Sequence, residues 1–282
     1  MNILTIDLED WFHILDHHET ALPKQWEKFE SRVERNTDWI LETLNEHGHK
    51  ATFFCLGWIA ERHPGLIKRI VGAGHEIACH SMYHQLVYEQ TSEQFKKDLL
   101  DCMNLLADIS GQKIMTYRAP GFSLSEKTNW VFKVLAESGI ENDCSVFPAA
   151  RNHGGYPGFP YKTPCMISVD RKIIREFPMS ISSIGSRRFA FSGGGYFRLL
   201  PLSLIMKLTR KSEYVMTYFH PRDFDTGQPV LALPLKRKWM SYVGLKRSGR
   251  KFERMLGEFN FMSVRQAVDH IDWKQASTLV ID

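Results

Sequence analysis

His80 and His84 stand four residues apart in His80-Ser-Met-Tyr-His84, and Asp7-Leu-Glu9-Asp10 gathers three acids near the start of the chain. Two imidazole nitrogens and a carboxylate oxygen make a three-ligand metal site with a fourth position open to water, the catalytic rather than the structural arrangement. The spacing of four predicts that both histidines share one face of a helical turn and can direct a ring nitrogen at the same ion. Alone, the pair is a weak signal in a chain with 12 histidines. The acids strengthen it, provided the fold brings a distant strand end to the same place.

Short β-rich runs alternate with helical patterns, which predicts a parallel α/β sheet or barrel. Strands are expected at Ile3 to Ile6, Ala51 to Leu56, Glu76 to Cys79, Met115 to Arg118 and Tyr214 to Phe219. Between them, helices are expected from Arg32 to His47 before Gly48, from Pro64 to Ala73 before Gly74, and from Asn129 to Ser138 before Gly139. Another is expected over Ser92 to Ser110, capped by Thr91 or Ser92. Phe252 to Leu256 and Val264 to Ile271 are expected to finish the chain as helices.

In such folds reactive groups gather where strands end. Four clusters each follow a predicted strand: Asp7/Glu9/Asp10, His80/His84, Arg118-Ala-Pro120-Gly121, and His220-Pro-Arg-Asp223. The stretch from about 149 to 200 is irregular and rich in Gly, Pro and Ser. Its Ser192-Gly-Gly-Gly-Tyr196-Phe-Arg198 lacks the Lys-Ser/Thr of a phosphate loop and reads as tight turns around a β excursion. Without repeats or a low-complexity linker, residues 1–282 are expected to form a single domain, with a helical segment from about 235 to 282.

With 282 residues, 43% of them hydrophobic, the chain can bury a large core. A net charge of +4 is too mild to argue for nucleic acid, and no recognition motif for it is present. No apolar stretch approaches 18 residues, so no membrane-spanning helix is expected. The start of the chain lacks a basic n-region and an apolar h-region, so a cytoplasmic location is expected. Five cysteines, an odd number without CxxC spacing, are expected to be reduced core residues. Lys236-Arg-Lys238 and Lys246-Arg-x-x-Arg-Lys251, interleaved with Trp239 and Tyr242, read first as a solvated helix face. They also offer a route to anionic lipid at the inner membrane face or to a diphosphate-linked sugar.

These clusters, in this order, resemble the polysaccharide deacetylase family of N-acetyl-sugar deacetylases. Thr5-Ile-Asp7-Leu-Glu9-Asp10 is similar to its first acidic motif, in a variant with one residue between the two acids. Gly74-His-Glu-Ile-Ala-Cys-His80-Ser-Met-Tyr-His84 is similar to its metal motif, Tyr117-Arg118-Ala-Pro120-Gly121 to its Arg-x-Pro motif, and Phe219-His220 to its late histidine. The resemblance covers roughly residues 1 to 225. Phe177-Pro-Met-Ser, Gly193-Gly-Gly-Tyr-Phe-Arg198 and His220-Pro-Arg-Asp-Phe-Asp225 further resemble a bacterial branch linked to exopolysaccharide and surface-glycan assembly.

The resemblance implies a distorted (β/α) barrel holding one divalent ion, zinc first, with cobalt, nickel, iron or manganese also compatible. It implies His80, His84 and Glu9 as ligands, with Asp10 as the alternative carboxylate or else a cap for the following segment. Asp7 would be the general base, Arg118 the group that keeps it ionised, and His220 the acid for the leaving amine. Asp143, in a segment similar to the branch's Asp-Ser-Ser, would support the pocket or cap a turn. Pro120, Tyr196 and Arg198 are candidate substrate contacts, although core packing for Tyr196 and surface charge for Arg198 are the ordinary expectations. The implied substrate is an N-acetylated sugar of surface-glycan synthesis, carried as a nucleotide- or lipid-diphosphate derivative. The alternatives are a deformylase or other amidase on the same scaffold, or a catalytically silent glycan-binding protein. Nothing in the sequence fixes the oligomeric state.

Overall fold

A computed structural model describes residues 1–15, 17–184 and 187–281. Strands buried on both faces read as unbroken apolar runs, and β2 (Thr5–Leu8), preceded by the short β1 (Asn2–Ile3), is buried at every position. So are β3 (Thr52–Cys55) and β4 (Glu76–Cys79). A single turn, α1 (Pro23–Trp26), leads to α2 (Val33–Glu46), which crosses from β2 to β3. Two short helices, α3 (Gly57–Arg62) and α4 (Pro64–Gly72), cross to β4, and α5 (Ser92–Ser110) crosses to β5 (Thr116–Tyr117). The expected cap of α5 is present: Thr91 Oγ1 accepts from the Gln94 amide at 3.3 Å, and Gln94 Oε1 accepts from the Thr91 amide at 2.9 Å.

Beyond α6 (Trp130–Glu137) and β6 (Asn142–Asp143), the parallel pattern is interrupted by an antiparallel pair, β7 (Cys165–Val169) and β8 (Lys172–Glu176). A hairpin, β9 (Ile181–Ile184) and β10 (Arg187–Ala190), then leads to α7 (Gly194–Leu199), α8 (Leu202–Lys211) and β11 (Val215–Met216). The last third adds α9 (Leu235–Tyr242), α10 (Leu245–Glu258), α11 (Val264–His270) and β12 (Thr278–Ile281). The main sheet runs β12-β7-β8-β6-β5-β4-β3-β2, and β11 pairs in parallel with β1 on the far side. The result is the expected α/β fold, a curled and incomplete barrel. No described helix is long and apolar enough to cross a membrane.

Two expectations need correction here. The chain does not finish in helices: β12 returns to pair in parallel with β7, a strand whose short alternating pattern was hidden by the polar residues around it. The glycine cluster at 193–195 is not only a turn. Gly193 pairs with Tyr218, where a Cβ would fall 1.8 Å from the Tyr218 carbonyl oxygen, so this close approach admits only glycine. The chain then enters α7, which sets Tyr196 and Arg198 beside the segment that leads to His220.

Register decides what the sheet can do. Leu8, Cys55, Cys79, Tyr117, Asp143 and Glu176 stand opposite one another across six adjacent strands. The next residue on three of these strands is therefore Glu9, His80 or Arg118, all on one rim. Ile6 pairs with Phe219, which brings His220 alongside Asp7.

One step below that rim, the side chains of Asp143 and Glu176 meet with no solvent exposure. Ser145 Oγ donates to Asp143 at 2.5 Å and the Val146 amide donates to Glu176 at 3.2 Å. Burial pushes Glu176 well above the usual carboxyl range, and the Asp143 charge together with its hydrogen bond to Asp143 adds to this, so Glu176 carries the proton of the pair. Burial also raises Asp143, against the hydrogen bonds from Glu176 and Ser145. An unfolded carboxyl ionises near pH 4 while the folded pair keeps its proton, so the pair's contribution to stability falls as pH rises above about 4. Glu176→Gln keeps a donor facing Asp143 without needing that proton. It is expected to flatten the urea-unfolding profile between pH 4 and 8 and to match or exceed the parent at pH 8. A variant that is weaker at pH 8 would show that the pair shares no proton.

Candidate metal centre

Glu9 follows directly on β2, and its Oε1 lies 3.1 Å from His80 Nε2 and 3.0 Å from His84 Nε2. All three residues are buried. His80 Nδ1 lies 2.8 Å from the Arg118 carbonyl oxygen and donates to it, so its Nε2 faces the carboxylate. Residues 80–84 are not helical, which corrects the helical-turn expectation. Ser81 and His84 adopt φ of 68° and 55°, and the His84 amide donates to Ser81 Oγ at 2.9 Å. Left-handed backbone at non-glycine residues costs on the order of 1 kcal/mol or more each and collects at functional sites. The strained loop, rather than a helix face, turns the second ring back onto the first.

These three donor atoms suit a divalent ion. Bonds of about 2.0–2.2 Å at tetrahedral angles separate neighbouring donors by about 3.4 Å, close to the 3.0 and 3.1 Å observed. The electrostatics favour an ionised Glu9, the form in which a carboxylate binds metal. Burial works against a charge on Glu9, but the neighbouring His84 and His220 and the hydrogen bonds from His80 and His84 outweigh it and hold the carboxyl well below its usual range. Burial likewise opposes a charge on His80, yet the hydrogen bond to Glu9 and the charges of Asp7 and Glu9 raise it.

Asp10 is turned elsewhere. Its Oδ1 accepts from the Trp11 amide at 2.8 Å, and its Oδ2 accepts from Ser31 Oγ at 2.6 Å and the Arg32 and Val33 amides at 2.9 and 3.2 Å. It thus caps α2 from 22 residues away, where the preceding Arg32 offers no side-chain cap.

Arg118 is fully buried. One of its terminal nitrogens donates to Asp7 Oδ1 at 2.6 Å and to Thr5 Oγ1 at 2.7 Å, and Nε donates to the Cys144 carbonyl at 3.2 Å. The guanidinium lies 4.0 Å from the centroid of the Phe54 ring. His220 completes the rim with Nε2 at 3.8 Å from Asp7 Oδ2 and 3.9 Å from Glu9 Oε1. Its Nδ1 lies 3.1 Å from Asp223 Oδ2, which also accepts from the His220 amide at 2.9 Å. Burial lowers the His220 pKa, although the charges of Glu9 and Asp7 pull the other way.

Of the expected substrate contacts, Tyr196 and Arg198 line a cavity of about 280 Å³ above Asp7, Glu9 and His220, whereas Pro120 and Asp143 do not. Asp143 lies beneath the rim instead, because its strand position points it at Glu176. The ordinary expectations for the other two are reversed: Tyr196 is exposed and Arg198 is buried. Arg198 pairs with Asp223 and donates to the carbonyls of Met240, Ser241 and Val243. The orienting role of Asp223 was missed from sequence, although its place three residues after His220 in a Pro-led turn carries the signal of a capping pair.

Comparison with known proteins adds family context. The sequence profile of the family described as "Polysaccharide deacetylase" matches residues 25–141, and that of a "Domain of unknown function (DUF3473)" matches residues 144–269. The first match contains His80, His84 and Arg118, the second contains His220, and the three early acids precede both. The chain is 30% identical over 105 residues to a Bacillus cereus peptidoglycan-N-acetylglucosamine deacetylase, a match covering 37% of this chain and 47% of the relative. It is 34% identical over 84 residues to a Listeria monocytogenes peptidoglycan-N-acetylglucosamine deacetylase, covering 30% of this chain and 18% of that one. The chain thus spans less than half the length of these curated relatives. A solved Mycobacterium smegmatis structure bearing the polysaccharide deacetylase name shares the fold, with a TM-score of 0.67 at 20% identity over 99% of this chain and 92% of its own.

Cap and ligand are separable. Asp10→Ala is expected to lower unfolding stability by about 1–2 kcal/mol while leaving bound divalent ion unchanged by elemental analysis. Glu9→Ala should do the reverse, losing the ion. Loss of metal from Asp10→Ala with retention by Glu9→Ala would exchange the two assignments.

Proposed function

Because the chain belongs to the polysaccharide deacetylase family, we propose that it is a metal-dependent hydrolase that removes the N-acetyl group of a sugar. The observation that carries this reading is the contact of Glu9 with both His80 and His84, beside an Asp7 that is clasped by Arg118 and faces His220. Glu9, His80 and His84 would hold the ion, zinc first by its preference for mixed nitrogen and oxygen donors, with cobalt, nickel, iron and manganese compatible. A bound divalent ion supplies Lewis acidity toward the amide carbonyl and lowers the pKa of bound water.

The remaining steps fall to the chain's own groups. Asp7, held in place by the charge-assisted hydrogen bond from Arg118, takes the proton of the attacking water. His220 presents Nε2 to the cleft because Asp223 engages Nδ1, and it protonates the departing amine nitrogen. Acetate and a free amino sugar are the products. The wider setting belongs to the same proposal: a cytoplasmic step of exopolysaccharide or other surface-glycan synthesis, acting on a carrier-linked N-acetyl sugar.

The test is acetate release from N-acetylhexosamine substrates by protein loaded with zinc, cobalt or nickel. Release is expected, it should cease on chelation, and His80→Ala should abolish it. Asp7→Asn and His220→Gln should each lower kcat by about 10²–10⁴-fold while keeping the ion. Absence of acetate from every such substrate with every ion overturns the proposal.

A further inference from the structure

Two of the arginines that line the cavity above the candidate centre, Arg151 and Arg222, have no acidic counterpart among the described residues. Arg151 lies with its guanidinium 4.5 Å from the ring centroid of Phe147, 5.1 Å from Phe122 and 5.9 Å from Tyr218. Arg222 lies 6.0 Å from the ring of Tyr242. Both line the cavity. Among the described residues, neither side chain has a carboxylate within ion-pair distance or donates a side-chain hydrogen bond. Other sheltered arginines of the chain are paired: Arg32 holds Asp225 at 2.5 Å, Arg118 holds Asp7 at 2.6 Å, and Arg198 holds Asp223.

The acids that line the cavity are already engaged. Asp7 serves Arg118, Glu9 faces two histidines, and Asp223 lies between Arg198 and His220. Burial lowers the Arg222 pKa, Tyr242 and Glu9 pull it back up, and its like-charged neighbour Arg237, which also lines the cavity and donates to the Leu15 carbonyl at 2.8 Å, lowers it again. Like charges gathered in a sheltered cleft are unfavourable in themselves and mark sites that meet a counter-charge. Aromatic faces hold a guanidinium in place while leaving its forked N–H donors for a planar or tetrahedral oxyanion. A neutral N-acetyl glycan offers nothing that needs these charges.

We propose that Arg151 and Arg222 form an anion subsite that binds a diphosphate attached to the N-acetyl sugar. This rests on the deacetylase reading and narrows its substrate class. Nucleotide and lipid carriers share the diphosphate, so the subsite recognises the linkage and not the carrier.

The experiment compares metal-loaded parent and Arg151→Gln/Arg222→Gln on three substrates: neutral triacetylchitotriose, uridine-diphosphate N-acetylglucosamine, and a short-chain lipid-diphosphate N-acetylglucosamine. With the charged hydrogen bonds to the diphosphate removed, the double variant should lower the ratio of diphosphate to neutral kcat/KM by at least about 10-fold. The change should lie mainly in KM, with partial recovery in Arg151→Lys/Arg222→Lys. Whichever diphosphate substrate shows the larger drop identifies the carrier. Acetate release with an unchanged ratio overturns the subsite and leaves the deacetylase standing. If no substrate releases acetate, calorimetric binding of uridine-diphosphate N-acetylglucosamine still decides: weaker binding by the double variant supports the subsite, and equal binding overturns it.

Discussion

Arg118 is the fixed charge around which the cleft is built. Its carbonyl receives His80 Nδ1, its guanidinium holds Asp7 and Thr5, and its Nε reaches back to the Cys144 carbonyl. A fully buried guanidinium is costly unless its charge is balanced and its donors are engaged. Asp7 meets that cost from one side, and the single negative charge shared by Asp143 and Glu176 lies below. Removing either acid partner would leave a cation in the barrel, so the geometry of the candidate base and the integrity of the core are one constraint. Thr5 extends it: its hydroxyl hydrogen bonds to the Thr217 carbonyl, tying the first long strand to the segment that delivers His220.

Parallel register converts that constraint into a site. Each strand contributes its residue at the same height, so Glu9, His80 and Arg118 emerge together without long loops. Only His84 needs a detour, supplied by two residues in left-handed backbone. That division matches the general behaviour of α/β folds, in which the sheet sets positions and the loops aim side chains.

Much of this was legible in the chain. Strand-end placement of the four clusters follows from hydrophobic patterning alone, and the boundaries of β4 and α5 fall where the pattern and caps put them. The exceptions have physical causes. His-x3-His fits a helix and a strained loop equally well, because spacing does not encode the sign of φ. Asp10 and Glu9 are adjacent carboxylates, and only the distant start of α2 shows which is needed as a cap. Tyr196 and Arg198 exchange their expected environments because Asp223 lies buried where α7 packs, and no local pattern reveals a partner 25 residues away. Asp143 and Glu176 meet across neighbouring strands, a pairing fixed by register that periodicity cannot supply. The final strand was hidden for a similar reason: β12 is half exposed, so its apolar run is too short to stand out.

The pairing of β1 with β11 has a consequence for how the protein comes into being. Thr5 and Thr217 touch across 212 residues of chain, and Asp7 and His220 sit on the same two segments. Contacts of such separation form late, since the chain between them must already be compact before closure is favourable. As the polypeptide emerges from the ribosome, β2 to β6 and their helices can assemble first, bringing Glu9, His80, His84 and Arg118 together. His220 joins only when the last third of the chain docks its segment beside β2. Glu9, His80 and His84 therefore come together before His220 does, and a nascent chain can assemble the candidate metal donors well before the candidate proton donor is in place.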